Sequence, residues 1–225
     1  MKRILSVLLI AALASAMTGC SFQSKISSKK LAAYAEQYGA TVYDDADEMN
    51  EDVNEHINSE DLGFFSDGIA VTTDDAGDIV SDGFLYEVSN SLDSKSVKEV
   101  TFFMTSGDVD NDVDSAIAFI YALDYESNED AAEAYEDMID YFEDELEEAR
   151  NSSVWEVESD SGKSDGITYS LYTTSAQPRT FRLFGYYLNG TSVMFIGCMG
   201  SDHGTVTDLT DDLCKDLGVK SPGDL

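Results

Sequence analysis

Hydrophobic and polar positions along the chain fall into short segments with readable periods. Residues 29–37 carry an apolar stripe at Leu31, Tyr34, Ala35 and Tyr38, which predicts a helix closed by Gly39. A short strand, Ala40 to Tyr43, should follow, and then an acidic helix within 44–61 that uses Met49, Val53 and Ile57. Gly68 to Thr73, Phe84 to Ser89 and Val97 to Met104 read as strands, with the Gly/Asp cluster 74–83 as the turn between the first two. Residues 116–125 place Phe119, Tyr121, Leu123 and Tyr125 on one face of a strand and Ala118, Ile120 and Ala122 on the other. A face of such small residues suits a helix packed closely against it. Ser127 with Asp130 three residues on forms a capping-box variant that opens a helix running to about Arg150, with its stripe at Ala131, Tyr135, Met138, Ile139, Phe142 and Leu146. Strands follow at 154–158, 167–174, 180–188 and 191–199, the last two joined by Asn189-Gly190. A closing helix over 202–218 uses Val206, Leu209, Leu213 and Leu217.

This order predicts an α+β fold, an antiparallel sheet with helices packed mainly on one face. The pattern resembles that of the uncharacterised small lipoproteins of clostridia and related Gram-positive bacteria. The residues that carry the resemblance are Met17 to Cys20, Tyr38-Gly39 before a strand, and the aromatic strand and acid-rich helix within 119–141, together with Asn189-Gly190 and Leu217-Gly218. The resemblance implies an exported, anchored protein and brings no activity with it.

The first twenty residues point the same way. Lys2-Arg3 precede an apolar run, Ile4 to Ala16, that is shorter than the roughly 20 residues of a membrane-spanning helix. The run ends in Met17-Thr18-Gly19-Cys20, which resembles a bacterial lipobox, with Met where Leu is usual. The resemblance implies cleavage after Gly19 and a diacylglycerol thioether on Cys20, which would then be the new N-terminus. The expected organisation is a signal peptide over 1–19, a lipidated tether over 20–28 and a single extracytoplasmic domain over 29–225, held to the cell membrane by lipid.

Composition narrows the partners. Lys+Arg number 13 against 45 Asp+Glu in 225 residues, a formal net charge of -32 that the loss of Lys2 and Arg3 would deepen. So acidic a chain lacks the basic stripe that phosphate backbones require, which argues against nucleic acid. Twelve Tyr and eleven Phe supply core-forming surface that disordered acidic chains lack.

Candidate chemistry is sparse. Asp108, Asp110, Asp112 and Asp114 match the first four oxygen ligands of an EF-hand-like calcium loop, but Val113 replaces the turn Gly and Phe119 stands where the bidentate Glu belongs. These departures favour an acidic surface loop over a weak, irregular calcium site. Cys198 and Cys214 are equally well read as a disulfide or as two buried thiols. His56 and His203 are the only histidines, and the spacing of Cys198, His203 and Cys214 fits no zinc motif. Nucleophile-elbow, zinc-protease and phosphate-loop motifs do not occur. Abundant Asp and Glu leave carboxylate hydrolysis open without marking a pair, and Trp155 and the tyrosines read as core before they read as sugar platforms. No cofactor is called for beyond that weak calcium. The expectation is a membrane-anchored, non-catalytic module that binds an envelope protein or glycan. A calcium-dependent surface module and an envelope carboxylate hydrolase are the alternatives.

Overall fold

A computed structural model describes residues 24–58, 66–74, 97–107, 116–151, 154–176 and 180–225. In chain order they form α1 (Ser28–Tyr38), β1 (Thr41–Tyr43), α2 (Ala46–Asn58), β2 (Ile69–Thr73), β3 (Val97–Ser106) and β4 (Ala116–Tyr125). There follow α3 (Asn128–Arg150), β5 (Trp155–Ser164), β6 (Ile167–Ala176), β7 (Thr180–Asn189), β8 (Ser192–Gly200), α4 (His203–Leu217) and a single 3-10 turn, Pro222–Asp224. The expected strand over 84–89, its preceding turn and Asp108 to Asp114 lie outside the described residues.

The helix ends follow from their capping residues. The Ser27 hydroxyl accepts from the Lys30 N–H at the start of α1, and Asp202 accepts from Thr205 N–H at the start of α4. Gly39 and Gly218 close these helices in the left-handed region, at φ 98° and 73°. Ser127 opens α3, accepting from the Asp130 N–H and donating to its carboxylate.

All eight strands join one sheet in the order β1-β2-β3-β4-β8-β7-β6-β5. Only β1 and β2 are parallel. From β4 the chain crosses as α3 to the far edge, and the meander β5 to β8 returns to pair with β4. Asp165 and Gly166, both at positive φ, make the β5–β6 turn in the manner of a type I′ hairpin. The β7–β8 turn centres on Gly190-Thr191, because Asn189 already pairs with Ser192.

Helices cover both faces of the sheet, which corrects the expectation of one. The aromatic face of β4 joins Val100, Phe102, Phe184, Tyr186 and Phe195 in one core, packed by Met49 and Val53 of α2 and by Tyr135, Met138, Phe142 and Leu146 of α3. The small face, Ala116, Ala118, Ile120 and Ala122, joins Leu183, Tyr187, Met194 and Ile196 in a second core, packed by Leu31 and Ala35 of α1 and by Val206, Leu213 and Cys214 of α4. The physical reason is in β4 itself. Both of its faces are apolar, so neither can be left to water.

Two further boundaries differ from the sequence reading. β5 runs ten residues to Ser164 rather than stopping at Glu158. Ser24 to Ser28, expected in the tether, are docked: Ile26 enters the second core, and Ser24 and Lys25 bind the Asn189 carbonyl and side chain.

Candidate functional site

The β5–β6 turn sets a register in which Glu156 faces Ser175 and Glu158 faces Thr173. The next register sets Ser175 beside Phe181 and Thr173 beside Leu183. Side chains alternate along a strand, so these six residues share the face that carries α4. His203, Val206 and Thr207 from the first two turns of α4 close over them, with Gly223 and Leu225 from the C-terminal segment. Together they enclose a cleft of about 300 Å³. Its floor is apolar, with Leu183 and Val206 buried, and its rim carries the exposed Glu156 and Glu158. The His203 ring meets Phe181 edge-on at 5.3 Å between centroids. Beside it, hydrogen bonds from the Thr205 N–H and hydroxyl hold the Asp202 carboxyl below the usual carboxylate range. Thr174 and Arg182 also line the cleft. Carboxylates that only accept, a guanidinium that only donates and hydroxyls that do both suit a ligand rich in hydroxyl groups.

A hydrolase built on carboxylates needs an acid whose pKa is raised inside a cleft. Among the described residues the one carboxyl raised by burial is Asp124. It accepts from the Ser192 hydroxyl at 2.5 Å and from Ser28 at the start of α1. Ser28 in turn bonds Thr101, which bonds Thr72. Asp124 therefore fastens α1 to the sheet and lies outside the cleft.

The residues singled out from the sequence do not converge. Cys198 and Cys214 are free thiols buried in the second core. Burial pushes each up to about 12. The Cys198 thiol donates to the Val206 carbonyl at 3.6 Å, and Cys214 lies 3.7 Å from the Tyr187 hydroxyl, which donates to the Lys220 carbonyl at 2.7 Å. His203 is exposed at the cleft, and no group of three or more metal-ligating side chains occurs among the described residues. His56 Nδ1 lies 2.8 Å from the Asp52 carbonyl within α2. The Trp155 ring lies under the Arg182 guanidinium, 5.3 Å away, and is not among the residues that line the cleft. Cys20, Asp108, Asp110, Asp112 and Asp114 lie outside the described residues.

The cleft residues Glu156, Glu158, Thr173, Ser175 and Thr207 were not marked by any motif. One signal could have found the first four. Asp165-Gly166 is a hairpin turn in its own right, and pairing outward from it aligns the two carboxylates with the two hydroxyls.

No helix among the described residues is long and apolar enough to cross a membrane. The chain matches no family model and no curated protein. It is similar in part to the extracellular domain of PknH from Mycobacterium tuberculosis, with 8% identity, a TM-score of 0.38 and coverage of 58% of this chain and 69% of that one. A similarity of that size carries neither fold nor function across.

Proposed function

We propose that the protein is an exported binding module, anchored to the outer face of the cell membrane through lipid on Cys20, that holds an envelope glycan in the cleft under α4. The observation that carries the export and anchor is the sequence itself: an apolar run too short to span a bilayer, ending at Cys20 four residues before the docked Ser24. The cleft supports binding rather than turnover. Its hydroxyls and carboxylates match the donors and acceptors of a sugar, and the Phe181 and His203 rings offer an apolar edge. A cationic ligand suits the carboxylates but leaves Thr173, Ser175 and Thr207 without a role.

The test is retention of soluble peptidoglycan fragments by residues 21–225, compared with a Glu156→Gln/Glu158→Gln/Thr207→Val variant. Retention by the parent and a loss of about tenfold or more in the variant, the scale of one or two lost charged hydrogen bonds, supports the reading. Equal retention by both, or none by the parent, removes the cleft from it. Mass spectrometry of Cys20 from cells that process lipoproteins tests the anchor separately.

A further inference from the structure

The geometry points to a membrane-contacting end: we infer that the corner formed by the lead-in to α1, its first turn and the β5–β6 turn rests on anionic headgroups of the leaflet that holds the Cys20 lipid, leaving the cleft at the far end. The inference rests on the Cys20 anchor and goes beyond it. Ser24 is pinned to Asn189, and Lys25 Nζ donates to the Asp165 carbonyl at 2.6 Å, so Ser24 and Lys25 lie beside both hairpin turns. Only Ser21, Phe22 and Gln23 separate Cys20 from Ser24, a reach of at most about 14 Å even when fully extended. The ten residues of β5 span about 30 Å from Trp155 to Ser164. The leash is thus shorter than the sheet, and it is attached at the end opposite the cleft.

Charge agrees with this placement. Within an acidic chain, residues 24–38 carry Lys25, Lys29 and Lys30 against a single carboxylate, Glu36. All three lysines are exposed, as is Lys163 beside the β5–β6 turn. A groove of about 300 Å³ between α1 and α4 continues the corner, lined by Lys25, Lys30 and Tyr34, with Asp216 on its α4 side. The carboxylates that face this corner are Asp165 in the β5–β6 turn, whose carbonyl binds Lys25, Asp216 on the α4 side of the groove, and Asp124, which is partly buried and accepts from Ser28 in the first turn of α1. The exposed positions of α3 are mostly Asp and Glu, which an anionic leaflet repels. End-on contact is therefore the arrangement that brings the lysines to the headgroups and keeps the acid away from them.

The experiment uses the full chain, lipid-modified in cells and reconstituted into vesicles of phosphatidylglycerol and phosphatidylethanolamine with a headgroup nitroxide quencher. A fluorophore is placed at Ser164→Cys, at the proposed contact, or at Val154→Cys, just before β5 and ten residues away at the far end. Cys198 and Cys214 are buried and do not compete for the label. Quenching about threefold or more stronger at 164 than at 154 is expected, given roughly 33 Å between the two sites. It should fall toward the level at 154 in a Lys25→Gln/Lys29→Gln/Lys30→Gln variant, or in vesicles of neutral phosphatidylcholine. Equal quenching at both sites overturns the orientation, and quenching at 164 that ignores the lysines and the lipid charge overturns the headgroup contact. An unmodified Cys20 in the mass spectrum overturns the anchor and this inference together, whereas a modified Cys20 with equal quenching overturns the orientation alone.

Discussion

Phe142 tests whether α3 is held by the sheet face opposite α1 and α4. Its ring meets Tyr172, Phe184 and Tyr186 at centroid separations of 4.9, 5.0 and 5.5 Å, and the residue is 4% exposed. Phe142→Ala removes that ring from three strand partners and leaves a cavity the rigid sheet cannot close. The expected cost is about 3–5 kcal/mol, the range for truncating a buried aromatic. Asp140, two residues earlier, is exposed and lies four residues from both Glu136 and Asp144. Asp140→Ala relieves two like-charge pairs and improves helix propensity, so it should stabilise by about 0.5–1 kcal/mol, less so in high salt. The assay is urea unfolding of residues 21–225 followed by far-UV circular dichroism and by the fluorescence of Trp155. With a slope near the top of the range of about 1–3 kcal/mol per molar, Phe142→Ala should lower the midpoint by roughly 1–2 M while Asp140→Ala raises it. A Phe142→Ala midpoint within about 0.3 M of the parent, equivalent to under 1 kcal/mol, would refute the second helical layer.

Three other outcomes follow from the same packing. Burial raises the Asp124 carboxyl, so its charged form is disfavoured in the fold, and the stability it allows when protonated is lost as pH rises through its raised pKa. Asp124→Asn keeps an acceptor for Ser192 without that charge. Its melting temperature relative to the parent should therefore be more favourable at pH 7 than at pH 4, and the reverse order would show that the carboxylate is held by its hydrogen bonds. Native residues 21–225 should give no rapid reaction with a thiol reagent and two equivalents after unfolding, since both thiols are buried and pushed up to about 12; no thiol after unfolding would mean a bridge. Gly197→Ala places a Cβ 2.6 Å from the Phe119 ring, which is 5% exposed and enclosed by the core, and should cost about 1–3 kcal/mol, largely recovered by adding Phe119→Leu. A stability unchanged by Gly197→Ala alone would mean that the Phe119 ring shifts freely.

Elements whose period or turn chemistry is unambiguous were legible in the sequence. The stripe from Ala131 to Leu146 is the buried face of α3, Gly39 caps where expected, and the closing helix ends at Gly218. The small face of β4 predicts one helical layer and says nothing of the other. The strand's aromatic face, with Phe119, Tyr121 and Leu123, is the more apolar of the two and required a cover of its own. β5 was cut short because residues 159–164, Ser-Asp-Ser-Gly-Lys-Ser, carry no apolar alternation. An edge strand with one free flank needs none, and its pairing is imposed by β6 through the Asp165-Gly166 turn. The cleft was illegible for a different reason. It gathers common polar residues from strands and a helix some fifty positions apart in the chain, and no local spacing encodes that convergence.

The two sheet edges bear on how such a module would act. An unpaired edge invites another strand, and a protein concentrated on a membrane surface meets copies of itself often. β1 offers only three residues, Thr41 to Tyr43. β5 is long, but its ten residues include Glu156, Glu158, Asp160 and Lys163, none of them buried, and a Gly at 162. Lys220 reaches across from the C-terminal segment to bind Asp160 at 2.6 Å and lies over the Tyr169 ring at 4.8 Å, which ties the edge to the body of the domain. The same polar residues therefore serve two ends. Lys163 lies at the lysine-bearing corner, while Glu156 and Glu158, on the face turned toward α4, supply the rim of the cleft. Charge on β5 that would be expensive in a central strand blocks strand addition here and leaves carboxylates free for a ligand. That is why the candidate site lies at the sheet edge rather than over its apolar centre.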